Sequence, residues 1–354
     1  MENKSNKRIL ILVPPLHLMS GVSLHYKGLH KYWKGNIQYY QTFKGIGIKL
    51  PNIIKLVWNY LHFIHILFFL NPQIVVINIS LKKGFYSKSL YMCIAKLFRK
   101  KIITFIHGWD VNSEWMLTSK KGKKVIQMTD GFIVLSKQFR TKLINLGIKQ
   151  PILVTTTKVD DDLLNNFNIN TRNGEIKNFL FLSRIEKAKG IFLSLDIFKM
   201  LQRDNANLAF YIAGEGKALK EVEQYIAEKK ILNVHLLGRI DGEDISRAYS
   251  QADCFFLLSE SEGMPAALLE AMAFGLPIIT KPVGGIPDFF IDGEMGVMSD
   301  EQSPSYYYER IKKIINNRSR VVNISIYNYS FAKDNFYAST VANKLENYFN
   351  TFLQ

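Results

Sequence analysis

The feature that most constrains the fold of this chain is a repeated alternation of short β-branched runs with longer segments of helical period. Helical segments such as Val22–Trp33 and Ile191–Gln202 separate successive runs. This order predicts an α/β protein with two doubly wound parallel sheets, each covered by helices on both faces. The runs are Arg8–Val13, Ile74–Ile79, Lys101–Ile106 and Phe132–Leu135 in the first half, then Phe179–Leu182, Leu208–Ala213, Val234–Leu237, Cys254–Leu258 and Pro277–Thr280.

A length of 354 residues suits two domains better than one. The polar stretch Thr155–Lys177 has weak apolar periodicity and is expected to link them, so we divide the chain into residues 1–165 and 166–330. Ligands of open α/β sheets bind at the carboxyl ends of the strands. The chemistry is therefore expected in a cleft between the two domains.

The charge is distributed unevenly along the chain. Residues 1–150 contain 24 Lys and Arg against four acidic residues, a net charge of +20, whereas residues 151–354 contain 22 against 26. Such asymmetry indicates an anionic partner for the first half, although some of these lysines are simply solvated. No helix-turn-helix, zinc-finger or RNA-binding signature accompanies the charge, so nucleic acid is disfavoured. An anionic lipid surface or a phosphate-bearing acceptor is expected instead.

Ile53–Leu70 is long and apolar enough to raise the question of a membrane span. It contains Lys55 and Asn59, and we expect a buried or membrane-facing helix instead of a span. Cys93 and Cys254 both lie in apolar runs, which fits a reducing cytosol. With no signal-peptide pattern at the start, the expected location is the cytoplasm, either free or peripheral on the inner face of the plasma membrane.

The most informative motif is Ser259–Pro277, which follows a buried run and opens a helix at about Pro265. A helix start at the tip of a strand presents backbone N–H groups and a partial positive charge, which suit a diphosphate. Glu262 precedes the helix and Glu270 lies eight residues later. A fully helical path would separate them by about 12 Å. One carboxylate could then accept hydrogen bonds from a sugar and the other from a ribose. The alternative is a surface helix with two solvated glutamates.

A second motif, Ser183–Gly190, also joins a run to a helix, and in it Arg184 and Lys189 can converge on one anion. A leaving diphosphate needs such cations because its negative charge grows as the bond to the sugar breaks. Ala213–Gly216 and Gly284–Asp288 are weaker signals, because glycine turns after strands are routine. Both nevertheless permit close approach of the backbone to a ligand.

Two residues of the first half stand where a ligand would bind. Gly21 lies between the first run and the first helical segment, where the lack of a side chain would let phosphates approach. His107 ends another run and precedes Gly108. A lone histidine is more often structural, but this location makes a functional role equally plausible.

In order and spacing, these motifs resemble those of the GT-B glycosyltransferases, specifically the retaining family 4 that includes bacterial lipopolysaccharide, capsule and mannosyl transferases. The resemblance is close from Phe179 to Val297 and looser in the first half. It implies two Rossmann-like domains facing each other across a cleft, the first for the acceptor and the second for the nucleotide sugar. It also implies that residues 331–354 form a terminal helix that packs back on the N-terminal domain.

The resemblance assigns roles to individual residues. Arg184 and Lys189 would bind the donor pyrophosphate, Glu270 the ribose hydroxyls and Glu262 the transferred sugar. The catalytic residues would be Arg184, Lys189, Glu262 and His107. The remaining donor-binding residues would be Gly21, Gly214, Gly238, Arg239, Ile240, Gly263, Met264, Ala266 and Ala267.

The family keeps the anomeric configuration of the sugar, and its leaving phosphate helps to take the acceptor proton, so no dedicated base is implied. Neither a metal nor any cofactor beyond the nucleotide-sugar co-substrate is expected. Asp160-Asp161-Asp162 matches the Asp-x-Asp metal motif of another glycosyltransferase fold. It lies in the predicted linker, so we interpret it as loop or helix-capping residues. Two positions depart from the family pattern: Ser20-Gly21 replaces Gly-Gly, and Asp288 stands where glutamate is commoner.

The expected function is transfer of a hexosyl or N-acetylhexosaminyl group from a nucleotide-diphosphate sugar to a lipid-linked or oligosaccharide acceptor, in bacterial surface-polysaccharide or glycolipid synthesis. Two alternative functions are also consistent with these motifs: a sugar-nucleotide epimerase with the same fold, and a non-catalytic sugar-nucleotide-binding module. A dinucleotide oxidoreductase is disfavoured, because no Gly-x-Gly-x-x-Gly follows the first run.

Overall fold

The computed structural model describes residues 7–17, 21–42, 52–79, 85–109 and 113–353. The chain divides into two compact units, Met1–Thr157 with Ala338–Gln354, and Lys158–Tyr337. Each unit contains one six-stranded sheet in which neighbouring strands are parallel. The prediction of two parallel α/β sheets is confirmed.

The sheet of the first unit has the strand order β2-β1-β3-β4-β5-β6. Its strands are β1 (Arg8–Val13), β2 (Asn36–Gln41), β3 (Ile74–Ile79), β4 (Lys101–Ile106), β5 (Gly131–Val134) and β6 (Ile152–Val154). Its helices are α1 (Gly21–Leu29), α2 (Asn52–Leu70), α3 (Phe85–Leu97), α4 (Ser113–Thr118), α5 (Lys120–Met128) and α6 (Lys137–Asn145). Every residue of β3 is buried, as expected for a central parallel strand covered on both faces.

The sheet of the second unit has the order β12-β11-β10-β7-β8-β9. Its strands are β7 (Asn178–Leu182), β8 (Ala209–Ala213), β9 (Val234–Gly238), β10 (Cys254–Leu257), β11 (Ile278–Thr280) and β12 (Gly296–Met298). Its helices are α7 (Ile191–Asp204), α8 (Leu219–Lys229), α9 (Glu243–Gln251), α10 (Ala266–Ala273), α11 (Pro304–Ile315) and α12 (Arg318–Asn335). The strand order reverses between β7 and β10, and such a switch point is where open α/β sheets bind ligands.

The first unit ends at Thr157, earlier than the predicted boundary at residue 165. Val159 forms a parallel bridge with Tyr337, which ties the following segment to the second unit. Arg172 lies deeper in the same segment, and its Nε donates to the carbonyl oxygen of Phe274 at 3.1 Å. The stretch predicted as a linker is therefore packed against the second unit.

The last helix, α13 (Ala338–Asn350), belongs to the first unit. Its Glu346 accepts a hydrogen bond from the backbone N–H of Lys34 at 3.0 Å, and the Tyr348 hydroxyl donates to the carbonyl oxygen of Pro151 at 2.7 Å. Residues 331–337 remain with the second unit because α12 continues to Asn335.

The apolar segment around residue 60 is the helix α2, and its Phe63 and Leu67 are buried in the core of the first unit. Among the described residues, no helix combines the length and apolar character needed to cross a membrane.

Candidate active site

The loops that follow the central strands of the second unit are bonded to one another through their backbones. The N–H of Glu260, after β10, donates to the carbonyl oxygen of Ala188, after β7, at 2.9 Å. The N–H of Gly285, after β11, donates to the carbonyl oxygen of Gly263 at 2.8 Å. Motifs distant in sequence therefore form one cluster at the carboxyl edge of the sheet, which we call the loop cluster.

The loop after β8 joins the same cluster. The N–H of Ile185 donates to the carbonyl oxygen of Glu215 at 2.9 Å, and that of Gly214 donates to Gly238 at 2.7 Å. Gly214 has φ of +142°, and a Cβ there would lie 1.9 Å from the carbonyl oxygen of Ser183. Glycine is thus required at this position by the packing of one loop on another, independently of any ligand.

Lys189 and Glu262 meet within the loop cluster. Lys189 Nζ lies 2.6 Å from Glu262 Oε1, and the side chains are only 14% and 11% exposed. The hydroxyl of Ser259, which is fully buried, donates to the same carboxylate oxygen at 2.7 Å. The contact joins the loops after β7 and β10, the two strands that flank the switch point. It places a cation and an oriented carboxylate where a ligand is expected.

Arg184 lies on the same loop as Lys189 but has a different partner. Its Nη1 is 2.8 Å from Glu186 Oε1, and its side chain is 71% exposed. The next cation along the loop, Lys187, pairs with Glu221 at 2.6 Å and is also exposed. The structure therefore brings Lys189 and Glu262 together, and it leaves Arg184 at the surface of the loop.

The helix α10 starts at Ala266, with Pro265 as its N-cap residue. Pro265 makes no side-chain capping hydrogen bond, so the first N–H groups of the helix depend on other partners. Ala266 is exposed, Gly263 and Ala267 are half-buried, and the Met264 side chain is buried. Because the three residues after Glu262 are not helical, the 12 Å helical separation assumed for Glu262 and Glu270 does not apply.

Glu270 lies further along α10 and is held by a tyrosine of α9. The Tyr249 hydroxyl is 2.9 Å from Glu270 Oε2 and 3.0 Å from the carbonyl oxygen of Ala267. Burial raises the pKa of Glu270, and the hydrogen bond from Tyr249 and the charge of Lys158 oppose that rise. We did not identify Tyr249 from the sequence, because it lies in an ordinary amphipathic helix and belongs to no motif.

Gly238, Arg239 and Ile240 form the end of β9 and the turn after it. Arg239 is exposed, and Gly238 and Ile240 are half-buried. β9 is the edge strand, two strands from β7. Gly238 joins the loop cluster through its bond to Gly214, whereas no described hydrogen bond or ion pair links Arg239 or Ile240 to Lys189 or Glu262.

In the first unit, His107 follows β4 and contacts Asn78 through one of its two ring nitrogens. Its Nε2 lies 2.6 Å from Asn78 Oδ1, and that oxygen also accepts a hydrogen bond from Tyr26 at 2.9 Å. Because Asn78 donates its amide to the carbonyl oxygen of Leu12, its oxygen faces His107, and the histidine must carry its proton on Nε2. Burial lowers the pKa of His107 to about 3, so the ring is neutral at physiological pH and its Nδ1 is an acceptor.

Gly21 is the first residue of α1 and is exposed. A Cβ added there would meet no atom of the described residues within 4 Å, so its described neighbours do not require glycine at this position. Ser20, the departure from the family pattern, lies outside the described residues.

The Asp160 triplet opens a short 3-10 turn at Asp161–Leu164, and Asp160 forms an ion pair with Lys158. Across the described parts of the chain, no group of three or more His, Cys, Asp or Glu side chains is arranged to hold a metal ion.

Residues 164–331 match the family model of the group 1 glycosyl transferases. The matched segment covers a little less than half of the chain, and it is similar to that family. It includes the loop cluster with Lys189 and Glu262, and also Glu270 of α10. The resemblance inferred from the motifs is thereby confirmed at the level of the group 1 glycosyltransferases.

Similar proteins are also named as glycosyltransferases. The chain is 25% identical over 233 residues to an uncharacterized glycosyltransferase of Methanocaldococcus jannaschii, with 64% of this chain and 62% of that protein aligned. It is 26% identical over 218 residues to the amylovoran biosynthesis glycosyltransferase AmsK of Erwinia amylovora, with 58% of this chain and 53% of AmsK aligned. The chain thus spans a little more than half the length of these two relatives.

Among solved structures, HepE of Anabaena in complex with UDP is similar over 97% of this chain and 100% of HepE, with a TM-score of 0.76 and 14% identity. Together with the two six-stranded parallel sheets, this likeness shows the GT-B fold.

Proposed function

We propose that the protein is a retaining glycosyltransferase. It moves a hexosyl or N-acetylhexosaminyl group from a nucleotide-diphosphate sugar to a lipid-linked or saccharide acceptor in surface-polysaccharide or glycolipid synthesis. The observation that carries the proposal is the contact of Lys189 with Glu262 at the switch point of a group 1 glycosyl transferase domain. The relative AmsK is named for amylovoran biosynthesis, which supports a polysaccharide product.

In this proposal the donor diphosphate lies against Lys189 and the start of α10. The lysine exchanges its partner, from the carboxylate of Glu262 to the phosphate oxygens, and Arg184 turns from Glu186 to the same anion. Both cations lie on the same loop, the one after β7. Charge-assisted hydrogen bonds to phosphate strengthen as the leaving group gains charge, which favours the transition state over the bound donor.

Glu262, held by Ser259, accepts hydrogen bonds from hydroxyls of the transferred sugar, and Glu270, held by Tyr249, accepts them from the ribose. Gly263, Met264, Ala266 and Ala267 offer backbone to the phosphates, and Gly214, Gly238, Arg239 and Ile240 lie towards the base. In the first unit taken by itself, Gly21 opens α1 without a side chain, which suits a phosphate, and the neutral His107 offers Nδ1 as an acceptor for a sugar hydroxyl.

The chemical step follows from this placement. The acceptor oxygen attacks the anomeric carbon from the face that the diphosphate leaves, so the bond from carbon to phosphate oxygen breaks as the new glycosidic bond forms. The acceptor proton passes to the departing phosphate oxygen, and the anomeric configuration is kept. We propose that no metal is needed, since Arg184 and Lys189 supply the positive charge that a divalent cation would otherwise bring. The enzyme would act at the cytoplasmic side of an anionic membrane.

The decisive test is product analysis. The protein is incubated with uridine, guanosine and adenosine diphosphate sugars, with and without lipid-linked and oligosaccharide acceptors, in chelator. Transfer with retained anomeric configuration, seen by proton NMR, supports the proposal. Conversion of the donor to another sugar nucleotide without acceptor would identify an epimerase, and binding without turnover would identify a non-catalytic module.

The site assignment has its own control. Glu262→Ala should abolish transfer, because its carboxylate is the sugar contact. Lys187→Ala should leave transfer unchanged, because this neighbouring lysine pairs with Glu221 at the surface. Full transfer by the Glu262 variant would remove the assignment.

A further inference from the structure

The helix α2 has apolar residues on two opposite faces. Its inner face carries Phe63 and Leu67, both buried in the core of the first unit. The opposite face, which we call the outer face, is solvent-exposed over about 22 Å of helix, from Ile54 to Phe69. The outer face consists of Ile54, Val57, Trp58, Leu61, Phe68 and Phe69, each between 48% and 69% exposed.

A contiguous face of this size marks an interaction site, because soluble surfaces rarely expose several large apolar side chains side by side. The neighbouring helix α3 also exposes an apolar side chain. Leu97, at the end of the neighbouring helix α3, is 81% exposed. Three aromatic and three branched aliphatic side chains at helical spacing are typical of a helix that lies flat in a lipid interface.

The charge around the outer face identifies the kind of surface it meets. Residues 3–109 contain 16 Lys and Arg and not one Asp or Glu. At the carboxyl end of α2, Arg8 Nη1 donates to the carbonyl oxygen of Leu70 at 2.9 Å, and Lys100 Nζ donates to Asn71 Oδ1 at 2.5 Å. Two cationic groups therefore lie at the carboxyl end of α2, where the chain follows Phe68 and Phe69.

We propose that the outer face of α2 docks the protein on an anionic phospholipid bilayer, with the helix lying in the plane of the headgroups. The apolar side chains enter the boundary between headgroups and acyl chains, and the surrounding lysines and arginines bind lipid phosphates. A nucleic acid would use the charge but leave the apolar residues without a partner. A second copy of this chain would bring like charges together. The proposal does not depend on the transfer reaction.

The test uses the full-length protein and sedimentation with vesicles. One vesicle contains only phosphatidylcholine, and the other contains phosphatidylcholine with phosphatidylglycerol. We expect binding to the anionic vesicle that weakens as salt is added, because the electrostatic part is screened.

Phe68→Ser with Phe69→Ser should lower the vesicle partition coefficient at least about tenfold, because each exposed ring that enters lipid contributes hydrophobic free energy. The matched control is Leu232→Ser with Ile326→Ser, which removes side chains of the second unit that are 64% and 52% exposed. Both double variants should unfold at the wild-type temperature, since the changed residues are exposed. Brominated lipid should quench Trp58 fluorescence, and Trp58→Phe should remove that quenching.

Equal binding of the Phe68 and Phe69 variant and the control variant would overturn the proposal. So would failure of the wild type to bind anionic vesicles. A stable dimer in light scattering that the same variant dissociates would assign the outer face to self-association instead.

Discussion

Replacement of Lys189 by methionine should separate the structural and the functional roles of the loop cluster. The side chain keeps a similar length but loses its charge, and Glu262 loses the cation at 2.6 Å. Removal of one partner from a fully buried ion pair costs about 3–5 kcal/mol. Ser259 still donates to Glu262 and the pair is slightly exposed, so we expect a loss of about 2 kcal/mol. For a unit of this size, the unfolding temperature should fall by about 4–8 °C.

The same substitution should weaken donor binding. Loss of one charge-assisted hydrogen bond to phosphate costs about 2 kcal/mol, which corresponds to about a 30-fold increase in Kd for the nucleotide sugar. Isothermal titration calorimetry measures this increase directly. Lys187→Met is the control, and it should change neither the unfolding temperature nor the Kd.

The double variant Lys189→Met/Glu262→Gln distinguishes the two effects. Without either charge, no unpaired ion is left among the loops, so most of the lost stability should return. Donor affinity should not return, because the cation that binds phosphate is still missing. If the double variant recovered both stability and wild-type affinity, Lys189 would be a structural residue and the reasoning would be refuted.

Three further changes test other parts of the account. Tyr249→Phe removes the hydroxyl that lies 2.9 Å from Glu270 Oε2. It should raise the donor Kd about tenfold and change kcat at saturating donor little, which steady-state kinetics would measure. An unchanged Kd would exclude Tyr249 as a positioning residue. The pKa of His107 falls to about 3 on folding, so at acidic pH the native state binds fewer protons at this residue than the unfolded state. The free energy of unfolding should therefore decrease as the pH falls from about 6.5 towards 3. Urea titrations of His107→Gln should show a shallower decrease than those of the wild type. Gly284→Ala places a Cβ 2.3 Å from the carbonyl oxygen of Glu262 at φ of +59°, and calorimetry should show that the free energy of unfolding falls by at least about 2 kcal/mol. Gly147→Ala has φ of +80° and no atom of the described residues within 4 Å of the added Cβ, so its loss of stability should be smaller. Equal losses would contradict the close packing of the loops.

The central strands could be predicted from the sequence because they are continuous apolar runs, as burial on both faces requires. Three of the four edge strands, β2, β6 and β12, could not, whereas the edge strand β9 was predicted as the run Val234–Leu237. β2 mixes exposed and buried residues, β6 and β12 have three residues each, and none of them forms a strong apolar run. The boundary between the units was also placed too late, because the polar segment around Arg172 is held by hydrogen bonds to carbonyl groups far along the chain.

The candidate site was predictable to the extent that its residues stand in motifs at strand ends. The sequence indicated that Lys189 and Glu262 each follow a strand, but not that these strands are neighbours or that the two side chains touch each other across 73 positions. Their contact depends on backbone bonds between loops, which leave no periodic signal. Tyr249 and Asn78 were missed for a related reason, since each acts through a single hydrogen bond to a predicted residue.

The central claim is that the loop cluster binds the diphosphate of a nucleotide sugar, and thermal unfolding with a panel of uridine, guanosine and adenosine diphosphate sugars tests it most directly. At a free concentration one hundred times its Kd, the true donor should stabilise the protein by about 2.7 kcal/mol. The Lys189→Met/Glu262→Gln variant should lose most of that stabilisation at the same concentration. Stabilisation by none of the sugars, or an equal shift in the wild type and the double variant, would contradict the account.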